Sequence, residues 1–124
     1  MKVIKSKINF KDSRGSISDI FYNKNIKHIS LIKSNKGAVR GNHYFKKNIQ
    51  YIYNLTSSFE YWYKKFNSKK KLKKVIIKKG NLIRTPPYEV YALKFYKKNK
   101  LLEFSSIERL KKKYQNDAVK IKIL

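Results

Sequence analysis

The sequence predicts an all-β domain of the sandwich or barrel type, and three observations carry that expectation. Apolar and polar residues alternate with period two along most of the chain, the pattern of strands buried on one face. Turn-forming residues recur between the alternating runs. Only one stretch has helical spacing.

Taken in order, the expected strands are Ser16 to Phe21, Ile26 to Ile32, Ala38 to Phe45, Ile49 to Tyr53, Phe59 to Tyr63, Val75 to Ile77, Val90 to Phe95 and Leu101 to Phe104. Each is rich in Ile, Val, Tyr or Phe, whose bulk suits a pleated, half-buried surface. Arg14-Gly15, Asn35-Lys36-Gly37, Thr56-Ser57-Ser58, Lys79-Gly80-Asn81 and Pro86-Pro87 supply the turns. Ser106 to Gln115 is expected to be a helix, with Ser106 as its cap and Ile107, Leu110 and Tyr114 on one face. The tail Ala118 to Leu124 alternates again and is expected as a last strand. A jelly roll is one way to close so many short strands without exposed edges.

The 124 residues are enough for one core, so one domain over residues 1–124 is expected. There is no cysteine, which excludes a disulfide framework, a thiolate metal site and a cysteine nucleophile. No apolar run approaches the roughly 18 residues of a membrane span, and no apolar stretch follows the charged N-terminus, so a cytoplasmic protein is expected. Lys and Arg number 32 against 7 Asp and Glu, a net charge of +25. Such a field attracts polyanions and anionic small molecules alike. Lysine here accompanies abundant Asn, Ile, Tyr and Phe, as happens when codon composition is skewed toward A and T. The run Ser68 to Lys74 then reads as a solvated hairpin tip.

The chemistry concentrates in Val39 to Tyr51, "VRGNHYFKKNIQY". In a strand, Gly41, His43 and Phe45 share a face, and after a turn at Lys46-Lys47-Asn48 the next strand can return Gln50 to the same interior. A histidine, a ligand two residues on and a carboxylate further along would wrap a metal. Here those later positions are Phe45 and Gln50. A phenyl ring has no lone pair and an amide is a poor ligand for the metals imidazole favours, so no metal and no cofactor are expected.

"VRGNHYF", "IQYIY" and "KKGNLIRTPPYEVYAL" together resemble the two motifs of the cupin superfamily, whose small double-stranded β-helix points ligands into a barrel. His43, Gly80, Pro86 and Pro87 match the pattern, while Phe45, Gln50 and Tyr91 stand at the other three ligand positions. "FKDSRGSISDIF", Phe10 to Phe21, is similar to the signature F-x-D-x-R-G-x-F-x-E-x-F of dTDP-4-dehydrorhamnose 3,5-epimerases, and "AVRGNHY", Ala38 to Tyr44, to their R-G-L-H-Y. Those enzymes and the related nucleotide-sugar 3,4-ketoisomerases are metal-free cupins that act on 4-keto sugars. The resemblance implies a cupin jelly roll with a short C-terminal helix and an anionic nucleoside-diphosphate sugar as partner. It also implies a homodimer that shares N-terminal strands.

By the same resemblance His43 is the base that removes a proton next to the keto group, work that suits an imidazole in a sheltered cavity. Arg14 and Arg40 would bind the diphosphate, with Arg14 reaching a neighbouring subunit's site, and Phe45 and Gln50 would shape the substrate pocket. The tyrosine acid of the epimerases is missing after Leu101 to Ser105, so Tyr91 is proposed as an alternative phenol. Glu103 is the acid expected to lie near His43. The second histidine of the ketoisomerases is replaced by Phe45. Three functions therefore compete: a nucleotide-sugar epimerase or ketoisomerase of surface-polysaccharide synthesis, a non-catalytic sugar-binding cupin, and, more weakly, a basic nucleic-acid-binding barrel.

Overall fold

The computed structural model describes residues 1–5, 8–20, 23–108 and 110–124. Its strands are β1 (Lys2–Lys5), β2 (Phe10–Asp12), β3 (Gly15–Ile17), β4 (His28–Ser34), β5 (Val39–Phe45), β6 (Gln50–Asn54), β7 (Phe59–Lys65), β8 (Lys73–Ile77), β9 (Asn81–Thr85), β10 (Glu89–Lys94), β11 (Asn99–Ser105) and β12 (Ala118–Lys120). One helix, α1 (Lys111–Asp117), precedes β12. Two five-stranded antiparallel sheets, ordered β1-β9-β6-β11-β4 and β12-β5-β10-β7-β8, form a jelly roll, and β2 and β3 pair with each other as a separate hairpin.

The alternation explains the packing. Ile52, Ile83 and Leu101 of the first sheet meet Phe45, Phe59, Tyr61, Ile77, Tyr91 and Leu93 of the second, with Phe95 just past β10, in one core. Residues of opposite parity in the first sheet, Tyr51, Leu82 and Phe104, form a second cluster on its other face, covered by Ile4, Ile20 and Ile26. The Lys69-Lys70-Lys71 stretch lies exposed in the connection between β7 and β8.

Several expectations are corrected. The strand expected over Ser16 to Phe21 shortens to β3, whose partner β2 sits just before the Arg14-Gly15 turn. Phe21 and Arg109 lie outside the described residues. The helix begins at Lys111 rather than Ser106, because the Ser106 hydroxyl is engaged elsewhere. It accepts from the Ile49 amide at 2.9 Å, and the Ser106 amide donates to Asn48 Oδ1 at 3.0 Å, which ties the chain to the loop before β6. The last strand stops at Lys120. Beyond it the tail is held by one residue: the Ile121 amide donates to the Asn42 carbonyl at 2.9 Å, and the amides of Ile123 and Leu124 donate to Asn42 Oδ1 at 2.9 and 3.0 Å.

Three strands have no counterpart among the expected ones: β1, β2 and β9. Lysines bracket β1 and mask its two apolar residues, Val3 and Ile4. Lysine at the border of an edge strand discourages pairing with other chains. The five residues of β9 fill the whole interval between the Gly80 turn and Pro86. Its ladders with β1 and β6 hold so short a segment in place.

Candidate active site

The site starts from a defect in the ladder between β5 and β10. Tyr91 pairs with His43 but Ala92 pairs with Gly41, so Asn42 is an extra residue, a β-bulge. Gly41 and Asn42 both have positive φ, 87° and 56°. Glycine takes that conformation without steric cost and asparagine tolerates it better than most residues. Gly41 is further required for space. A Cβ there would lie 2.8 Å from the Tyr91 carbonyl oxygen and 3.1 Å from the edge of its ring. The dipeptide therefore lets Tyr91 lie against β5, next to His43.

His43 Nε2 is 2.9 Å from the Tyr91 hydroxyl, which donates to Gln50 Oε1 at 3.2 Å. The second bond crosses from one sheet to the other. Which of His43 Nε2 and the Tyr91 hydroxyl donates in the contact between them follows the imidazole tautomer. Phe45 and Tyr91 brace the imidazole, with ring centroids 5.0 and 5.1 Å from its own. Behind Tyr91, the Tyr61 ring stacks at 5.6 Å, nearly parallel, and its hydroxyl donates to Glu89 at 2.8 Å. Burial, and then the Glu89 carboxylate, push the Tyr61 phenol well above its usual range. It remains neutral behind the site.

A cavity of about 110 Å³ opens in front of these groups, lined by Ile32, Arg40, Gly41, His43, Gln50, Ile52, Tyr91, Leu93, Leu101 and Glu103. Arg40 is exposed at its rim. Its Nε donates to Ser34 Oγ at 2.7 Å and its Nη2 to the Lys33 carbonyl at 2.9 Å, so neutral oxygens of β4 fix the guanidinium. Glu103 is buried in the wall and accepts from Ser105 at 3.3 Å. Among the described residues no three His, Cys, Asp or Glu side chains converge as a metal site. A larger depression of about 620 Å³ lies beside Lys46, Lys47 and Tyr88. Its one carboxylate, Asp117, already accepts from the amides of Lys47 and Asn48.

Of the six residues singled out in the sequence, the structure brings His43, Tyr91, Gln50 and Arg40 around one cavity. Phe45 is fully buried behind His43 and is not among the lining residues. Arg14 lies on the β2–β3 hairpin, away from the cavity, where it grips Asp12 through Nε at 3.0 Å and Nη2 at 2.7 Å. Those hydrogen bonds hold the Asp12 carboxyl below its usual range. Two contributors escaped the sequence reading. Asn42 looked like a spacer within the motif, although an Asn after a Gly inside a strand signals a bulge. Ser34 carried no signal, because its role exists only once β4 faces β5.

The geometry sets one limit. His43 and Tyr91 are within hydrogen-bond distance, so a group in the cavity meets both from the same side, whereas two groups on opposite faces of a flat ligand would stand about 7 Å apart, twice an ordinary carbon contact of about 3.5 Å.

The architecture is that of a cupin. Among solved structures it matches a 3,4-ketoisomerase from Helicobacter canadensis with a TM-score of 0.77 at 22% identity, covering 95% of this chain and 88% of that one. It matches QdtA, a sugar 3,4-ketoisomerase from Thermoanaerobacterium thermosaccharolyticum in complex with TDP, with a TM-score of 0.75 at 21% identity over 95% and 85% of the two chains. For dTDP-4-dehydrorhamnose 3,5-epimerase from Sulfolobus tokodaii the TM-score is 0.79 at 19% identity, over 98% and 76%. No protein-family model matches the sequence, and no curated protein matches it. The chain shares the fold of these epimerases and ketoisomerases.

Proposed function

We propose that the protein is a nucleotide-sugar isomerase that removes a proton next to the 4-keto group of a dTDP-4-keto-6-deoxyhexose. The observation that carries this reading is the His43–Tyr91–Gln50 chain opening onto a cavity with Arg40 at its rim. His43 takes the proton and Arg40 holds the diphosphate, for which a guanidinium fork is suited. Pockets that bury a whole ligand of this size run from about 300 Å³ upward. At about 110 Å³ the cavity admits only the reacting edge of the sugar, and the nucleotide lies outside it.

Because the two proton carriers serve one face, keto migration fits better than inversion. In that reaction a proton leaves C3 for His43 and returns to C4, while the O3 hydrogen passes to O4, through an enediolate. No atom is gained or lost. Phe45 then stands behind the base rather than beside the substrate. The pathway would be surface-polysaccharide synthesis in the cytoplasm, and no metal is assigned a role. Among the described residues no helix is long and apolar enough to cross a membrane.

A homodimer belongs to this reading. The β2–β3 hairpin is exposed throughout, with Phe10 and Ile17 at 50% and 61%, and the β4 face likewise leaves Ile29 and Leu31 at 60% and 54%. Apolar side chains so placed are suited to cover a second copy and carry Arg14 to its cavity.

The test is solvent deuterium incorporation into dTDP-4-keto-6-deoxyglucose, followed by NMR. Exchange at carbon next to the keto group is expected. Tight binding without exchange would favour a non-catalytic sugar-binding cupin. Salt-sensitive binding to single-stranded nucleic acid without affinity for the sugar nucleotide would favour the basic-barrel reading.

A further inference from the structure

Gln50 is 1% exposed, yet its amide nitrogen has no hydrogen-bond partner. A buried donor left unpaired costs about 1–3 kcal/mol, so its presence in a cavity wall asks what satisfies it. The oxygen is held by the Tyr91 hydroxyl. The other amide atom is about 2.2 Å away, so the donor sits one side-chain width from the phenol that contacts His43.

We infer that Gln50 Nε2 is the donor that holds the substrate's carbonyl oxygen as it becomes an enolate. This rests on the proposed isomerase reading and names the group that makes deprotonation feasible. Removing a proton beside a carbonyl puts negative charge on that oxygen, and a donor fixed before the reaction stabilises the charge without reorganising. An amide N–H only donates, which matches an oxygen that only accepts. The flanking Ile52, Leu93 and Leu101 side chains keep the surroundings apolar and strengthen the bond. The order of roles is then spatial: Gln50 on the oxygen, His43 on the carbon beside it, and Tyr91 between them, orienting both and relaying the hydroxyl hydrogen.

The experiment compares wild type with Gln50→Met, which keeps the volume and removes the donor, and with Gln50→Glu, which keeps the acceptor for Tyr91 and puts a carboxylate where the donor was. Deuterium exchange into dTDP-4-keto-6-deoxyglucose, the Kd for TDP and the melting temperature are measured for each. Exchange is expected to fall about 10²–10³-fold in both variants. TDP affinity should stay unchanged, and Gln50→Met, which removes the Tyr91 acceptor together with the unpaired buried donor, should melt close to wild type because the two changes offset. Exchange at the wild-type rate in Gln50→Met overturns the role of Gln50 and leaves the isomerase reading standing. Loss of exchange together with TDP binding and a lower melting temperature assigns Gln50 to the fold and also overturns it. A wild type that binds TDP but exchanges no deuterium overturns both.

Discussion

The dipeptide Arg-Gly occurs twice, at Arg14-Gly15 and Arg40-Gly41, and the structure treats the two in opposite ways. Gly15 has a φ of 132° in an exposed turn, and a Cβ there would meet nothing within 4 Å. Gly41 has a φ of 87° inside a bulge, and a Cβ there would strike the backbone and ring of Tyr91. The arginines differ likewise. Arg14 spends its charge on Asp12 in solvent, while neutral oxygens hold Arg40 at the rim of a cavity. Close packing against Tyr91 sets the second copy of the motif at the mouth of a cavity. The first copy lies on an exposed hairpin, where its arginine is bonded within the same turn.

The sharpest way to break this contrast is to remove the chemistry of the inner motif. His43→Ala and Tyr91→Phe should each lower deuterium exchange by about 10²–10⁴-fold, the usual worth of a positioned acid or base. Wild-type exchange in His43→Ala would remove the inner motif from catalysis. The outer motif is tested by mixing. If Arg14 completes a neighbour's site, Arg14→Ala and His43→Ala are each impaired, and combining them restores exchange, because one barrel in the mixed dimer then has both groups. A mixture as inactive as its components would confine Arg14 to its own hairpin.

Smaller effects separate the two glycines. Gly41→Ala should destabilise the fold by about 2–4 kcal/mol in urea titrations, from strain at positive φ plus displacement of Tyr91. Gly15→Ala, with open space around it, should cost no more than about 1 kcal/mol. Equal losses would mean that the bulge is not crowded. Last, the raised Tyr61 phenol makes folding depend on alkaline pH. The folded state keeps a proton that the unfolded state releases above about pH 10, so this contribution is intact below that pH and is lost as pH rises further. Tyr61→Phe should lower stability by about 1–3 kcal/mol near neutral pH, since Glu89 loses a buried donor, and should make the alkaline decline shallower. An unchanged alkaline decline would show that Tyr61 titrates normally.

Much of the fold was legible because alternation is local. Alternation marks the strands containing His43, Gln50 and Tyr91, and parity sends His43 and Gln50 toward one interior, whereas the inward position of Tyr91 comes only from the resemblance to the second cupin motif, because its strand is buried on both faces. Ser106 shows where local reading ends. As a hydroxyl before an apolar periodic run it has the form of a helix cap, but the Asn48 loop, 58 residues earlier in the chain, satisfies it first. β1 and β9 escaped notice because each is short and gains its hydrogen bonds from partners distant in sequence.

The sequence by itself determined the all-β class, the shared interior of His43 and Gln50, and a chemistry without thiols. It also supplied the Gly41-Asn42 pair that a bulge requires, since positive φ is a property of residue type. Only the tertiary structure decided that Tyr91 touches His43, that Gln50 retains an unpaired donor, and that Arg14 stands apart from the cavity. Those outcomes depend on how two sheets face each other. Distances between strands far apart in the chain are set by the packing of the whole core, which no short stretch of sequence encodes.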